Sequence, residues 1–312
     1  MGAGLLVRIG GCIERGGLAT STAASRAAEE RAAMIIVRST AELQRALAEP
    51  RAQGKSIGYV PTMGALHEGH LSLVRAAKGR DDVVVASIFV NPLQFGPDED
   101  FDTYPRDEVR DLALCEKVEA DIAWLPTADE LFPPGFGLTV AVPRLSGVLC
   151  GEGRPTHFAG VTTEMSKILI LLAPTAVYLG EKDFQQLVVL RAVVRDLGLP
   201  LKVRAVSTVR ESDGLALSSR NAYLAEAERP IAASLFRVLS ELAPKLRADT
   251  GAVAALLAEG RAALTEAGVQ RIDYLELVDG ETLDPVRVAG SGNRLVAAMW
   301  VGSTRLIDNV AV

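Results

Sequence analysis

The sequence predicts an α/β fold: a Rossmann-like, doubly wound parallel sheet with a second, smaller α+β domain at the C-terminal end. From Met34 onward, short β-branched runs alternate with stretches whose apolar residues recur at spacings of three and four, as in strands joined by helices. After about Thr208 the pattern changes to a loop rich in Ser and Asp and two helical stretches rich in Ala and Leu. Short strands follow around Ile272 to Val278 and Arg294 to Val301.

The alternation places five strands and four helices in the first part of the chain. The predicted strands are Ser56 to Val60, Val83 to Val90, Asp121 to Leu125, Ala176 to Gly180 and Lys202 to Val206. The predicted helices are Leu71 to Lys78, Glu108 to Glu119, Val161 to Leu172 and Phe184 to Leu197. We therefore predict a Rossmann-like domain at residues 34–208 and a smaller C-terminal lid domain at 209–312. Residues 1–33, rich in Ala, Gly, Arg and Ser, are predicted to be a disordered extension.

Composition limits the classes of partner. With 33 basic and 39 acidic residues the net charge is -6, which argues against a polyanion such as nucleic acid. Three widely separated cysteines without a C-x-x-C pair indicate neither a disulfide framework nor a zinc ribbon, and favour a reducing, cytoplasmic setting. The longest apolar runs are far shorter than the roughly 20 residues that span a bilayer, so no membrane anchor is predicted.

The first predicted strand runs directly into Pro61 to His70, a turn that carries two glycines and two histidines. Parallel sheets bind ligands at the carboxyl ends of their strands. Gly64 and Gly69 let the backbone approach an anion, and a helix starting near His67 would direct its free N–H groups at phosphate. His67 and His70 would share one face of that first helical turn. The segment is therefore a predicted phosphate site.

Other interpretations of these motifs are weaker. The two histidines could be polar residues at a helix start, but the chain has three histidines in all and two lie in this turn. His-Glu-Gly-His lacks the spacing of the zinc-protease motif. Gly54 to Ser56 resembles the end of a P-loop, yet Glu49 stands where the first Gly belongs. Gly151 to Gly153 is a weak Rossmann fingerprint that lacks the third Gly.

The histidine turn resembles the H-x-G-H signature of the nucleotidylyltransferase superfamily. Its wider context, V-P-T-M-G-A-L-H-E-G-H-L-S-L-V-R-A-A, resembles the pantothenate synthetase family. Five later blocks agree in order: S-I-F-V-N-P-L-Q-F-G, D-T-Y-P-R, R-P-T-H-F-A-G-V, L-G-E-K-D-F-Q-Q-L and D-G-L-A-L-S-S-R-N. The likeness runs from about Met34 to the C-terminus.

The resemblance implies a two-step ligation. Pantoate attacks the α-phosphate of ATP and releases pyrophosphate, and β-alanine then attacks pantoyl adenylate and releases AMP. It implies Mg²⁺ held mainly by the ATP phosphates, with no dedicated metal ligands in the protein, and a homodimer. The other expected partners are the small-molecule substrates pantoate, β-alanine and ATP.

The resemblance also implies residue roles. His70 is expected to be the proton donor and His67 its partner, with Lys182 and Arg220 as further catalytic residues. The implied ATP site comprises Met63, Gly64, Ala65, Leu66, His67, Glu68, Gly69, His70, Gly180, Glu181, Lys182, Asp183, Val209, Leu217, Ser218, Ser219 and Arg220. The implied pantoate ligands are Gln94 and Gln186, whose neutral amides can hold hydroxyl and carboxylate oxygens. Asp111 and His157 are candidates for supporting and loop-ordering roles.

Two alternatives stay open. An adenylyl- or cytidylyltransferase shares the H-x-G-H turn and would yield a stable nucleotide-linked product. A non-catalytic nucleotide-binding module would show no turnover. A tRNA synthetase is disfavoured by the acidic balance and by the lack of an anticodon-binding extension.

Overall fold

The computed structural model describes residues 33–97 and 99–312. The extension predicted at residues 1–33 lies outside these ranges except at residue 33. The strands are β1 (Ile35–Val37), β2 (Ile57–Thr62), β3 (Val83–Ile88), β4 (Ile122–Trp124), β5 (Ala176–Gly180), β6 (Lys202–Val206), β7 (Arg271–Asp279), β8 (Asn293–Val301) and β9 (Thr304–Ala311).

The α-helices are α1 (Thr40–Ala52), α2 (Glu68–Lys78), α3 (Glu108–Lys117), α4 (Ala128–Leu131), α5 (Pro143–Ser146), α6 (Cys150–Gly153), α7 (His157–Leu172), α8 (Phe184–Asp196), α9 (Arg229–Ala248) and α10 (Val253–Glu266). Short 3₁₀ turns occupy Pro92–Gln94, Glu181–Asp183, Ser219–Tyr223 and Glu226–Glu228. In the described part of the chain, no helix combines the length and the apolar character that a membrane crossing requires.

Six parallel strands form the main sheet in the order β1-β4-β3-β2-β5-β6. Helices cover both faces because successive strand residues point to opposite sides. Tyr59 packs with α1, α7 and α8, whereas its neighbour Val60 packs with α2 and α3. The chain winds outward from β2 in one direction and from β5 in the other, so the strand order reverses between them. The predicted doubly wound fold is confirmed.

A separate antiparallel sheet, in the order β7-β8-β9, buries one face against α9 and α10. Apolar residues from both helices and all three strands make this second core. The smaller α+β part predicted from the sequence is therefore present.

Several elements were not predicted, among them the strands β1 and β9, the helix α1 and the short helices α4, α5 and α6. The edge strand β1 is three residues long and exposes Ile35 and Ile36, so its pattern is too short and too open to indicate a strand. Helix α1 starts at a capping box, in which Ser39 and Glu42 satisfy each other's backbone N–H groups, a signal for a helix start that the apolar spacing alone does not capture. Strand β9 carries Asp308 at a buried position, where a strand pattern requires an apolar residue.

Candidate active site

The reversal of strand order places two loops side by side. Strands β2 and β5 pair directly, and their carboxyl ends lead into residues 61–67 and 180–183. Both loops line one cavity of about 780 Å³. A crevice at the carboxyl ends of strands flanking such a reversal is the usual ligand site of this sheet type.

The turn after β2 is held in shape by a buried carboxylate. Gly64 and Ala65 have positive φ values of 81° and 49°. Asp111, which is 1 % exposed, accepts the N–H groups of Ala65 and Leu66, each at 2.8 Å. A Cβ at Gly64 would lie 2.9 Å from that carboxylate, so only glycine fits. Asp111 thus fixes the turn from the side away from the cavity.

The two turn histidines cap helix α2 and carry their protons on the same ring atom. His67 Nδ1 accepts the N–H of Gly69 at 3.1 Å, and His70 Nδ1 accepts the N–H of His67 at 3.3 Å. Because each Nδ1 accepts, each neutral ring has its proton on Nε2. The two rings stack with centroids 4.1 Å apart, and both line the cavity.

Both rings are neutral at pH 7. Burial and the nearby Lys182 lower the pKa of His67 to about 4, and burial and the neighbouring His67 lower the pKa of His70 to about 3. An unperturbed histidine would have a pKa near about 6.5, which suits a proton donor at neutral pH. The structure instead provides two neutral Nε2–H hydrogen-bond donors.

This geometry predicts two opposite tautomers among the three histidines of the chain. His157 Nδ1 lies 2.9 Å from the carbonyl oxygen of Gln94, so there the proton is on Nδ1. We expect ¹⁵N-resolved imidazole spectra at neutral pH to show His67 and His70 as Nε2–H and His157 as Nδ1–H. Because burial lowers the pKa of His157 to about 4 as well, all three should titrate below about pH 5. Titration of His67 or His70 near pH 6.5 would contradict this.

The predicted pantoate ligand Gln94 lies in the 3₁₀ turn after β3 and is buried in the cavity wall. Its Oε1 accepts a hydrogen bond from Asn91 at 3.1 Å, and its Nε2 lies 2.9 Å from the sulfur of Met63. His157 holds the backbone of the same residue. One N–H of this amide is directed at the Met63 sulfur, and the second N–H is available to a ligand.

The turn after β5 is supported by the second sheet. Asn309 of β9 donates to the backbone carbonyls of Glu181 at 2.9 Å and Lys182 at 3.0 Å. Arg294 of β8 donates to the Glu181 carboxylate at 3.2 Å. Lys182 lines the cavity with its ammonium 3.4 Å from Asp183. The second sheet therefore fixes the backbone from which this lysine extends.

Across the cavity, the Leu217–Arg220 loop contacts the segment after the Gln94 turn. Arg220 forms a two-point ion pair with Asp100, at 3.1 and 2.8 Å. Ser219 Oγ lies 3.1 Å from the hydroxyl of Tyr104. The guanidinium thus has a carboxylate partner that phosphate oxygens could replace.

Most of the predicted site residues meet at this cavity. Those that line it are Met63, His67, Gly69, His70, Gln94, Gly180, Lys182, Asp183, Gln186, Val209, Leu217, Ser218, Ser219 and Arg220. Those that do not are Gly64, Ala65, Leu66, Glu68 and Glu181. The first three shape the turn. The exposed Glu68 pairs with Arg75, and Glu181 pairs with the second sheet.

Among the polar residues that sequence reasoning missed are Asp100, Tyr104 and Glu164 of the cavity wall and the fully buried Asn91 beside Gln94. The available signals were a polar residue at the exit of β3 and a carboxyl within the otherwise apolar helix α7. Within the part of the chain that the structure describes, no group of three or more His, Cys, Asp or Glu side chains is arranged to hold a metal ion.

Taken together, a doubly wound sheet and a cavity lined by neutral N–H donors, a lysine and an arginine define an ATP-binding α/β enzyme. The sequence profile of the pantoate-beta-alanine ligase family matches residues 35–311. The pantothenate synthetase of Acidiphilium cryptum is 51% identical over 280 residues, covering 89% of this chain and 100% of that protein.

Solved structures agree with the family match. The pantothenate synthetase of Thermus thermophilus has a TM-score of 0.84 at 46% identity, covering 89% of this chain and 99% of that one. The pantoate-beta-alanine ligase of Francisella tularensis, complexed with beta-gamma ATP and beta-alanine, has a TM-score of 0.72 at 32% identity and covers 89% and 98%. The chain belongs to the pantoate-beta-alanine ligase family, and its activity is ATP-dependent formation of pantothenate.

Proposed function

We propose that the chain joins pantoate to β-alanine through a pantoyl adenylate formed inside the 780 Å³ cavity. The pantoate carboxylate attacks the α-phosphorus of ATP, and the bond to pyrophosphate breaks. The amine of β-alanine then attacks the acyl carbon, AMP leaves, and the amine loses a proton. One observation carries this proposal. The side chains that can donate hydrogen bonds to phosphate and the Gln94 amide line one cavity, which lies where the strand order reverses.

The side chains proposed to donate hydrogen bonds to the phosphates come from three separate elements. The Nε2–H groups of His67 and His70 lie at the start of α2, Lys182 extends from the turn after β5, and Arg220 lies on the opposite loop. Fixed donors directed at the oxygens that gain charge stabilise the transition state. A ring with a pKa of about 3 acts there as a hydrogen-bond donor rather than as an acid that releases its proton.

Gln94 and Gln186 are proposed to bind pantoate, because both line the cavity and a neutral amide does not compete with the attacking carboxylate. The Francisella tularensis relative was solved with an ATP compound and beta-alanine. We accordingly assign ATP and β-alanine to the same cavity here, with pantoate between them.

Mg²⁺ is proposed to enter with ATP. The wall carboxylates Asp100 and Glu99 are paired with Arg220 and Arg154, so phosphate oxygens would supply the main ligands. The ion would neutralise charge on the triphosphate and the departing pyrophosphate.

We further propose that residues 209–312 act as a lid domain. In this proposal the Leu217–Arg220 loop closes on the phosphates after Arg220 exchanges Asp100 for the nucleotide. Closure would protect an acyl adenylate from water. A homodimer and a cytoplasmic location are also proposed, on the strength of family membership and the cysteine content.

The two-step route is tested by separating the products. We expect pyrophosphate release from ATP to require pantoate alone, and AMP release to require β-alanine in addition. The measurement is a coupled pyrophosphate assay together with chromatographic detection of AMP, in reactions that omit one substrate at a time. ADP and phosphate as products, or a stable nucleotide-linked product, would contradict the proposal.

A further inference from the structure

A carboxyl group outside the predicted site lies in the cavity wall. Glu164 is on α7, is 8 % exposed, and lines the cavity between buried neighbours. The side-chain amide of Asn91 acts on this carboxyl in the direction of a hydrogen-bond donor, which lowers the pKa of Glu164. Among the described residues, no lysine or arginine acts on this carboxyl. A buried carboxyl without a nearby cation is costly to keep ionised, so the protonated, neutral form is favoured.

Helix α7 holds Glu164 in a fixed relation to Gln94. The helix packs so closely on the turn that a Cβ at Gly160 would lie 2.1 Å from the carbonyl oxygen of Leu93. The Asn91 amide bridges the two elements, because it donates to the Gly160 carbonyl at 3.3 Å and to Gln94 Oε1 at 3.1 Å. Glu164 and Gln94 therefore both line the cavity, and the buried Asn91 side chain connects the elements that carry them.

Burial determines the protonation of this carboxyl. Burial raises the pKa of Glu164 to about 8, with the Asn91 hydrogen bond acting in the opposite direction. The titratable group facing it from β2 is Tyr59, whose pKa is itself raised by burial and by the Glu164 charge, so the phenol stays neutral. At pH 7 Glu164 is a neutral acid with an O–H to donate.

We propose that Glu164 binds the hydroxy-acid substrate by donating a hydrogen bond from its carboxyl group to a pantoate oxygen, beside the Gln94 amide. The inference rests on the proposed pantoate site. An ionised carboxylate at this position offers no proton and repels the substrate's own carboxylate. Pantoate binding therefore weakens as Glu164 loses its proton.

The test uses the first half-reaction, pantoate-dependent pyrophosphate release at saturating ATP, so that the β-alanine amine does not titrate in the assay. In the wild type, the KM for pantoate should be constant below about pH 8 and should approach a tenfold rise per pH unit above it. Glu164→Gln keeps the shape and a neutral donor, so its KM should stay flat with pH. Glu164→Leu should raise the KM about tenfold at pH 7, the size of one lost hydrogen bond.

Two internal controls separate this role from a structural one. The KM for ATP should be the same in the wild type and both variants. Glu266→Gln, which removes an exposed carboxylate at the end of α10, should behave as the wild type at every pH. The inference about Glu164 is wrong if the wild-type KM for pantoate is independent of pH, or if the KM of Glu164→Gln still rises above about pH 8. Either result leaves the proposed function intact. A wild type that releases no pyrophosphate with pantoate overturns the proposed function, and the inference with it.

Discussion

Replacing His70 with alanine is expected to lower the rate of pantoyl adenylate formation by about 10²- to 10³-fold, the usual cost of one preorganised donor to a developing charge. The reason is geometric: the Nδ1 atom is occupied by the N–H of His67, so Nε2–H is the atom that this ring offers to the cavity. Single-turnover pyrophosphate release with ATP and pantoate measures the step directly. The KM for ATP should change much less than kcat.

A His70→Gln variant distinguishes the two roles that this histidine could have. Glutamine places an amide N–H near the position of Nε2 but cannot act as an acid, so a neutral donor predicts that much of the lost rate returns. Because the pKa of the ring is about 3, the wild type and the variant should also share one pH profile around neutrality. A rate for His70→Ala within a few-fold of the wild type would contradict the electrostatic role. A His70→Gln variant as slow as alanine would favour proton transfer.

The sequence predicted the fold well where the local pattern and the tertiary structure agree. The observed bounds of β5 and β6 coincide with the predicted ones. For β5 the reason is burial, since Ala176 to Leu179 are all buried and the run reads as an inner strand. The pattern failed at β9, where Asp308 interrupts the apolar alternation.

In the candidate site, too, the features that depend on local sequence were predictable, and those that depend on tertiary contacts were not. The Gly and His content of the turn after β2 was enough to predict a phosphate site, because glycine freedom and a helix start are local properties. The tautomers of His67 and His70 were not predictable, because they depend on which backbone N–H groups meet each ring. The role of Glu164 was not predictable for a related reason: its environment depends on Asn91, which is distant in sequence.

The second sheet contributes more to the site than its position in the sequence indicates. Asn309 holds the backbone of the Lys182 turn, and the adjacent Asp308 holds Arg210, just before the Leu217–Arg220 loop. Two neighbouring residues of β9 therefore hold two segments of the cavity wall: Asn309 holds the Lys182 turn, and Asp308 holds the segment that leads to the Leu217–Arg220 loop. We infer that β9 couples the stability of the second sheet to the geometry of the ATP site.

Replacing Asp308 with alanine should accordingly destabilise the protein by about 3 to 5 kcal/mol, the cost of leaving a buried charge without its partner. The Asp308 carboxylate is 2 % exposed and accepts hydrogen bonds from both terminal nitrogens of Arg210, with N–O distances of 2.5 and 2.9 Å. That guanidinium also lies 3.6 Å from the ring centre of Phe236, so it cannot easily turn to solvent. Urea unfolding followed by circular dichroism measures the change.

The matched control is Asp196→Ala, which breaks the exposed pair between Arg195 and Asp196 and should leave the unfolding midpoint unchanged. A double variant, Asp308→Ala with Arg210→Met, removes the stranded charge but keeps an apolar stem beside Phe236. It should recover much of the stability lost in Asp308→Ala. If the double variant is as unstable as the single one, the loss arises from packing of β9 rather than from the buried charge, and the proposed electrostatic cause is wrong.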